Sequence, residues 1–459
     1  MTDTSYGAAA PQSAVRRQAT DLYRAVWRWH FYAGLLVLPF MITLAITGAI
    51  YLFRDQVDNL VHADFKLVTP VAEQRLSPSQ IIDAALSAQP GTAVKYTDPV
   101  TDRASTEITV QPETGGRMAV YVNQYTGDVL EVRPDRSTFA WTVRYLHSFR
   151  YFGPTPRKVI EIAGGFSILL VLTGVYLWWP RGQGGGVVTL RGTPARRVFW
   201  RDTHAVTGIF TGAFIVFLAV TGMPWSSVWG KQVNEWANGN NFGYPAGVRV
   251  EVPMSGQKLT DVAKTAWSLE QAQIPETAAP MPGQTEIGLD AAVRIFDDLN
   301  LHRGYTVALP TTPTGVYSGS VYPADLGQQR VVHLDQYDGR PLLDMSYADY
   351  GPLGRWLEFG INTHMGQTYG LANQIVLLLV CAGIVLLAVS AAVMWWKRRP
   401  AGSLGVPPLP SDRRVFTGLF ILLGIGGALF PLTGLTLLAM IGLDLLAQRF
   451  LRRQRPGAA

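Results

Sequence analysis

The sequence predicts a multi-pass α-helical membrane protein that also carries two soluble α+β blocks. The chain has 459 residues, of which 48% are hydrophobic and only 16% are charged, whereas about 25% are charged in an average soluble protein. Uncharged apolar runs at residues 31–53 and 415–443 are long enough for a membrane-spanning helix, which needs about 17–25 residues. A span followed by a long polar block occurs twice. The low charge therefore reflects membrane segments.

The basic residues predict how these spans are oriented. Arginines and lysines concentrate in short segments beside the apolar runs, and such segments stay in the cytoplasm. The net charge of +6 and the pI of about 9.3 are therefore an orientation signal and need no nucleic acid partner. The predicted order is a cytoplasmic N-terminus at 1–29, a span at 30–53, a periplasmic block at 54–146, a second span with an external lead-in at 147–180, a cytoplasmic loop at 181–203, a third span at 204–225, a second periplasmic block at 226–360, a fourth span with its lead-in at 361–396, a cytoplasmic loop at 397–414, a C-terminal apolar segment at 415–446 and a basic tail at 447–459.

Local patterns predict elements within this frame. Residues 77–86 begin with a serine that can cap a helix and continue with an amphipathic pattern. Residues 118–132 and 330–343 alternate in polarity around turn sequences, as β-hairpins do. The glycine and prolines at 153–156 predict a helix break after His147. The C-terminal apolar segment is either one helix or a hairpin broken near Pro431, and the hairpin is favoured because it returns the last arginines to the cytoplasm.

Residue spacing indicates a two-fold internal repeat. In the first and third spans, His30 and His204 are each followed by a Thr-Gly pair, which begins seventeen residues later. In the second and fourth spans, His147 and His364 are each followed by a Trp-Trp pair, which begins thirty-one residues later. Matching residues at equal offsets predict that the two halves of the chain share one architecture.

The four repeated histidines predict a haem-binding core of four helices. On the predicted topology, His30 and His204 lie at the cytoplasmic face, and His147 and His364 lie at the external face. Neutral imidazole is a common axial ligand of non-covalent haem, and a bis-histidine haem needs two rings that face each other from different helices. We therefore expect two haem b groups, one for each pair. The alternatives are interfacial histidines or a metal-ion site, which would require carboxylates nearby.

Further candidates surround these histidines. Small residues lie eighteen positions, or five helical turns, beyond each histidine, and they share its helix face. Small side chains there would allow a flat macrocycle to approach the helix. The alternative is that they allow tight packing between helices. Nearby arginines match the geometry of haem propionates, with a topology signal or headgroup contact as the alternative. The small residues are Gly48, Gly165, Gly222 and Ala382, and the arginines are Arg28, Arg201 and Arg150.

The glutamate of the second span, the single cysteine and the other three histidines limit which kinds of site the chain can form. Glu161, near the external end of the second span, is expected to form an interfacial ion pair with Lys158 in preference to a proton or ion site. The single cysteine excludes an intrachain disulfide, a four-thiolate metal site, an iron–sulfur cluster and covalent haem attachment. Surface or strand positions are expected for His62, His302 and His333.

The following motifs occur in order along the chain: Trp29-His30 with Thr47-Gly48, Leu172-Thr173-Gly174 with Trp178-Trp179-Pro180, Asp202-Thr203-His204, Asn362-Thr363-His364, and Phe430-Pro431-Leu432-Thr433-Gly434 with Asp444. Together they resemble the PepSY-associated transmembrane family of bacterial inner-membrane proteins over about residues 24–446. This family includes iron-regulated membrane proteins and ferric-siderophore reductases. The two polar blocks resemble PepSY domains, at 121–130 and 332–342. The resemblance implies a dihaem b-type protein that passes electrons to a periplasmic ferric siderophore, whose hard oxygen donors bind Fe(II) less well than Fe(III).

Two other function classes are compatible with the sequence. A membrane transporter is suggested by the repeat and the multiple spans. It would need polar or charged groups at mid-membrane, which are nearly absent, because the first and third spans have threonines but no charge. A sensor or peptidase-regulating protein would use the PepSY-like blocks and would leave the histidine spacing unexplained. No G-x-G-x-x-G sequence follows a predicted strand, so we expect no flavin or NAD(P) site. Electrons would then come from a quinol or a separate reductase.

Overall fold

A computed structural model gives the fold of the chain. It describes residues 10–71, 74–153, 155–180, 186–239, 254–262, 269, 272–402, 404–407, 421 and 424–453. The chain divides into two compact units, which we call the helical unit and the sheet unit. The helical unit comprises Met1–Ala49, His147–Lys231 and Leu378–Ala459, and the sheet unit comprises Ile50–Leu146 and Gln232–Leu377.

The described elements alternate between long helices and groups of short strands. The helices are α1 (Ala10–Leu52), α2 (Arg54–Val61), α3 (Ala63–Lys66), α4 (Pro78–Ala88), α5 (Phe139–His147), α6 (Arg157–Trp178), α7 (Arg197–Gly222), α8 (Val228–Gly239), α9 (Leu259–Val262), α10 (Gly288–Asp298), α11 (Pro352–His364), α12 (Gly370–Arg398) and α13 (Pro431–Arg453). The strands are β1 (Thr92–Thr97), β2 (Thr106–Gln111), β3 (Met118–Val122), β4 (Val129–Pro134), β5 (Met254–Lys258), β6 (Gln273–Pro275), β7 (Thr306–Ala308), β8 (Val316–Val321), β9 (Arg330–Asp335) and β10 (Pro341–Ser346).

Four helices of the described chain are long and apolar enough to cross a membrane. Their mean hydropathies are 2.2, 1.9, 2.0 and 3.0 in chain order, and each contains at least the about 20 residues that span the hydrocarbon core. They correspond to the four predicted spans, and together with the strands they make the chain a membrane protein with soluble α+β parts. The spans are Asp21–Leu52, Arg157–Trp178, Arg197–Trp225 and Gly370–Arg398.

The predicted helix break after His147 is confirmed. Helix α5 ends at His147, a short 3₁₀ turn covers residues 150–152, and α6 begins at Arg157. Gly153 lies between them with φ of 99°, a backbone conformation that glycine adopts without steric cost. His147 therefore belongs to the helix that leads into the second span and lies outside that span.

Apolar side chains join the helices of the helical unit into two buried clusters. The first cluster joins α1, α6 and α13, and the second joins α1, α7 and α12. Because α1 contributes to both, it is packed against neighbours along much of its length. The buried members are Ala25, Trp29, Ala33, Val37, Phe166 and Leu437 in the first cluster, and Ala45, Ile215, Val380, Cys381 and Ile384 in the second.

The C-terminal apolar segment is interrupted where the sequence places Pro431. Residues 424–429 are helical, the chain bends at Phe430, and α13 begins at Pro431. A Cβ atom on Gly427 would lie 2.8 Å from the Cα atom of Gly434, so the backbones on the two sides of the bend approach more closely than any other residue type allows. Residues 415–420 lie outside the described residues, so the hairpin stays a prediction.

The sheet unit contains one antiparallel sheet of eight strands, in the order β10-β9-β8-β7-β1-β2-β3-β4. Both predicted hairpins are confirmed, as β3 with β4 and β9 with β10. The two sequence blocks meet where β1 pairs with β7, through Tyr96 opposite Val307. Strands from the two polar blocks therefore share a continuous hydrogen-bonded ladder.

Two helices cover one face of this sheet. Helix α4 begins at Ser77, whose side chain accepts from the Gln80 amide in a capping box, as the sequence predicts. Ile81 of α4 and Phe296 of α10 are fully buried against the same face. Strand residues alternate between the faces: Val120 faces the two helices, and its neighbours Ala119 and Tyr121 join a separate cluster with Phe65. The core is therefore continuous under both halves of the sheet.

Candidate functional site

The imidazole rings of His30, in α1, and His204, in α7, lie close together within the helical unit. Their centroids lie 6.5 Å apart and their planes are perpendicular. A histidine nitrogen binds a metal at about 2.0–2.1 Å, so two rings on one metal have centroids roughly 6–6.5 Å apart. The centroid separation of 6.5 Å is therefore compatible with two imidazoles that bind one metal ion.

Thr173 of α6 contacts the Nδ1 atom of His30. His30 Nδ1 is 2.8 Å from Thr173 Oγ1, and that hydroxyl donates to Leu169 O at 2.6 Å. The next residue, Gly174, lies under the edge of the ring, because a Cβ atom there would be 3.4 Å from His30 Cε1. A threonine and a glycine of α6 thus orient His30.

Helix α12 provides the corresponding contact for His204. His204 Nδ1 is 3.1 Å from Leu387 O and 3.2 Å from Ser390 Oγ. Ser390 is fully buried, and its hydroxyl donates to Leu387 O at 2.9 Å. Both His30 and His204 therefore hold their Nδ1 atoms against polar atoms of a neighbouring helix.

His147 makes a third contact of this kind, with α1. His147 Nδ1 is 2.9 Å from Thr47 Oγ1, and the Thr47 hydroxyl donates to Thr43 O at 2.6 Å. A Cβ atom on Gly48 would lie 3.4 Å from His147 Cε1, so Gly48, one of the predicted small residues, lies directly beside this histidine. His364 is the last residue of α11 and belongs to the sheet unit, and its pairing with His147 stays a prediction.

Arg28 has a protein partner in the helical unit. Its Nη2 atom pairs with the Oδ1 atom of Asp444 in α13, and its Nη1 atom donates to Pro407 O. Tyr32 donates to the same Asp444 oxygen at 2.7 Å. The charge of this buried arginine is therefore balanced within the protein, and its pairing with a haem propionate stays a prediction.

The other two predicted arginines lie nearer to solvent. Arg201 pairs with its neighbour Asp202 at 2.8 Å, and Arg191 pairs with the same carboxylate, also at 2.8 Å. Asp202 is completely buried, so the two guanidinium groups satisfy a carboxylate two residues before His204. Arg150 is exposed, in the 3₁₀ turn between α5 and α6.

Comparison with known proteins gives the family. A family model described as the PepSY-associated TM region matches residues 27–398, from just before His30 to the end of α12. The chain belongs to this family. No curated protein matches the sequence of this PepSY-associated protein.

The remaining small residues of this PepSY-associated protein have different surroundings. A Cβ atom on Gly165 would lie 2.1 Å from Thr433 Oγ1, so this glycine packs against α13. The spacing that aligned Gly165 with His147 fails, because the helix break separates them. Gly222 is the half-buried last residue of α7, and Ala382 is exposed on α12, and their approach to a haem stays a prediction.

Glu161 differs from its predicted interfacial role. It is 1% exposed, and its Oε2 atom accepts four hydrogen bonds from the segment that begins α8. Of the other histidines, His333 is buried in β9 beside Ser318, and His302 is exposed. Across the described ranges, no three histidine, cysteine or acidic side chains cluster as they would around a metal ion.

The polar partners of the histidines were not among the residues predicted from the sequence. Thr173 and Ser390 lie 26 residues after His147 and His364, respectively. This equal offset is the signal that could have found them, because the repeat places a hydroxyl residue at the same point of both halves. Their role became visible only when the helices were packed together.

Proposed function

We propose that this PepSY-associated protein is a dihaem b-type membrane protein that carries electrons outward across the bacterial inner membrane and reduces ferric-siderophore iron in the periplasm. The observation that carries the proposal is that the rings of His30 and His204 lie 6.5 Å apart. A bis-histidine haem supplies reversible one-electron transfer.

In this proposal the chain holds, orients and shields the inner haem. His30 and His204 would hold the haem iron, and Thr173 and Ser390 contact the Nδ1 atoms of their rings. A pocket beside His30 is lined by Thr173 and by six apolar side chains, which would limit the access of water to the haem. The apolar side chains are Trp29, Ala33, Phe166, Leu169, Leu437 and Met440.

The outer haem would be held by His147 and His364. The proposal rests on the equal offsets of these residues in the two halves of the sequence and on the orientation of the His147 ring by Thr47. The basic ends of the spans, such as Lys397 and Arg398 at the end of α12, favour a cytoplasmic side for the His30 and His204 pair. A quinol or a separate reductase would supply the electrons.

The ferric siderophore is the substrate class that suits this direction of transfer. Siderophores hold Fe(III) through hard oxygen donors, and the Fe(II) produced by one electron binds such donors less tightly. Reduction outside the cytoplasmic membrane therefore releases iron from the chelate. The soluble α+β part would be the periplasmic part of the molecule.

The first experiment is a reduced-minus-oxidised visible spectrum of the purified full chain. We expect b-type bands from two haems, and we expect H30A and H204A each to lose one haem. H302A is the matched control, because His302 is exposed in the sheet unit. Absence of a Soret band in the parent protein, or full haem retention in both H30A and H204A, would contradict the proposal.

The second experiment tests the substrate. Vesicles containing the reduced protein are mixed with a ferric trihydroxamate complex and a chromogenic Fe(II) chelator. We expect Fe(II) to form with the parent and H302A proteins and not with the H30A and H204A variants. If the parent protein binds haem but forms no Fe(II), the proposed ferric-siderophore substrate is wrong. A cellular role that survives loss of all four histidines would favour a sensor or peptidase regulator.

A further inference from the structure

Three histidines of the helical unit share one hydrogen-bond pattern. In each, the Nδ1 atom lies 2.8–3.2 Å from a side-chain hydroxyl on a neighbouring helix. In each, that hydroxyl also contacts a backbone carbonyl of its own helix, one turn earlier. The pairs are His30 with Thr173, His147 with Thr47, and His204 with Ser390.

The second contact determines which atom carries the proton. A hydroxyl has one hydrogen, and a carbonyl oxygen can only accept. Thr173 Oγ1 lies 2.6 Å from Leu169 O, and a hydroxyl that gives its one hydrogen to that carbonyl can only accept a hydrogen bond from His30 Nδ1. The same reasoning applies to His147, whose partner Thr47 donates to Thr43 O.

His204 leads to the same conclusion by a more direct route. Its Nδ1 atom is 3.1 Å from Leu387 O, an acceptor with no hydrogen, so Nδ1 is protonated. The Ser390 hydroxyl donates to this same carbonyl, so the lone pairs of its oxygen can accept a hydrogen bond from His204. In all three histidines, therefore, Nε2 is the unprotonated nitrogen, which is the one that can bind a metal.

The hydroxyls are also arranged reciprocally between two helices. Helix α1 contributes His30 and the acceptor Thr47, while α6 contributes the acceptor Thr173, and His147 precedes α6. The acceptor for His30, which is Thr173, therefore lies on the helix that follows His147. The acceptor for His147, which is Thr47, lies on the helix that holds His30. A fourth hydroxyl, on Thr221, is buried and donates to Phe217 O at 2.7 Å, as Thr47 does to Thr43 O.

We propose that Thr173, Thr47 and Ser390 are positioning residues that hold the Nδ1 protons of His30, His147 and His204 and so present Nε2 as the iron ligand. This inference rests on the proposed haem function. Hydrogen bonds from a ligand histidine to such a partner fix its tautomer and raise its basicity, and loss of the partner typically costs about 10–100-fold in metal affinity.

The experiment compares valine, serine and alanine variants of the full chain. T173V removes the acceptor and keeps the side-chain volume, whereas T173S keeps the hydroxyl. T211V is the matched control, because Thr211 makes the same intrahelical bond, to Thr207 O, and packs against Gly383. S390A should have a smaller effect than T173V, since Leu387 O remains as an acceptor for His204.

Two readouts are needed. The first is haem affinity together with the midpoint potential of the bound haem. We expect T173V to weaken haem binding by about 10–100-fold and to shift the potential to more positive values, because a less basic ligand stabilises the ferric state less. The second readout is the ¹⁵N spectrum of histidine-labelled, haem-free protein, which distinguishes protonated from unprotonated ring nitrogens. We expect T173V to change the His30 signals and T173S and T211V to preserve them.

The outcomes separate this inference from the proposed function. If T173V matches T211V in both haem affinity and the nitrogen spectrum, the inference is overturned. If the parent binds no haem, the proposed function fails, and the nitrogen spectrum of the haem-free chain still decides the tautomers. A nitrogen spectrum that changes in T173V but not in T173S then supports the positioning role, and an unchanged spectrum in T173V rejects it.

Discussion

Glu161 provides a prediction whose magnitude follows from the structure. This carboxylate lies on α6 and is 1% exposed. Its Oε2 atom accepts from the first two amides of α8, at 2.8 Å from Val228 N and 3.2 Å from Trp229 N. It also accepts from the hydroxyls of Ser226 and Ser227, at 3.0 and 3.3 Å. The first amides of a helix have no intrahelical partner, so Glu161 caps α8 from a different helix.

The two substitutions E161A and E161Q should differ in cost. In E161A the two partly buried amides lose their acceptor, and each amide left without a partner costs about 1–3 kcal/mol. The serine hydroxyls can rotate to other partners, so we expect a total of about 3–5 kcal/mol. E161Q retains one oxygen acceptor and loses the negative charge at the helix N-terminus, which is worth about 0.3–2 kcal/mol.

Amide hydrogen exchange of the purified protein measures these costs locally. A change of about 1.4 kcal/mol alters the opening equilibrium tenfold, so E161A should accelerate exchange at residues 228 and 229 by roughly 100–4,000-fold. E161Q should accelerate it by roughly 2–30-fold. E113A is the control, because Glu113 is exposed in the sheet unit. Unchanged exchange in E161A, or equal effects of E161A and E161Q, would refute the capping role.

Two further predictions concern buried ionisable groups. Burial lowers the pKa of His333 to about 4, so only the unfolded chain takes up this proton between pH 6.5 and 4, and stability falls by up to about 3 kcal/mol as the pH decreases through this window. H333Q should flatten that dependence in thermal unfolding measured at pH 7 and 4.5, and an identical pH slope in the two proteins would contradict it. D202N should lower stability by about 1–3 kcal/mol, because it weakens the bonds from Arg191 and Arg201 to a buried carboxylate. Thermal unfolding checks this value, and an unchanged melting temperature would show that the two ion pairs contribute nothing.

Local sequence patterns predicted the elements of the fold well. The four spans follow from apolar length alone, since a helix must satisfy its own backbone in the membrane. The capping box at Ser77, the helix break after His147 and the turns between β3 and β4 and between β9 and β10 depend on residues close together in the sequence. Each of these features depends on a few neighbouring residues, so it can be predicted without knowing how the elements pack.

Packing between distant segments decided the rest. Arg28 pairs with Asp444, and β1 pairs with β7 across the two sequence blocks. Glu161 looked like a partner for Lys158 because the two are near in sequence, whereas the structure gives it the start of α8. The sequence pattern of a short segment cannot predict such pairs, because the two partners are distant in the sequence and come together only when their elements pack.

The histidines show both contributions in one site. The sequence alone determined that this is a membrane protein of the PepSY-associated family and that four of its histidines recur at equal offsets. Only the tertiary structure brought the rings of His30 and His204 to 6.5 Å and set Thr173 and Ser390 against their Nδ1 atoms. The physical reason is that a hydrogen bond between helices depends on their relative rotation and depth, which helix packing fixes and apolar length does not.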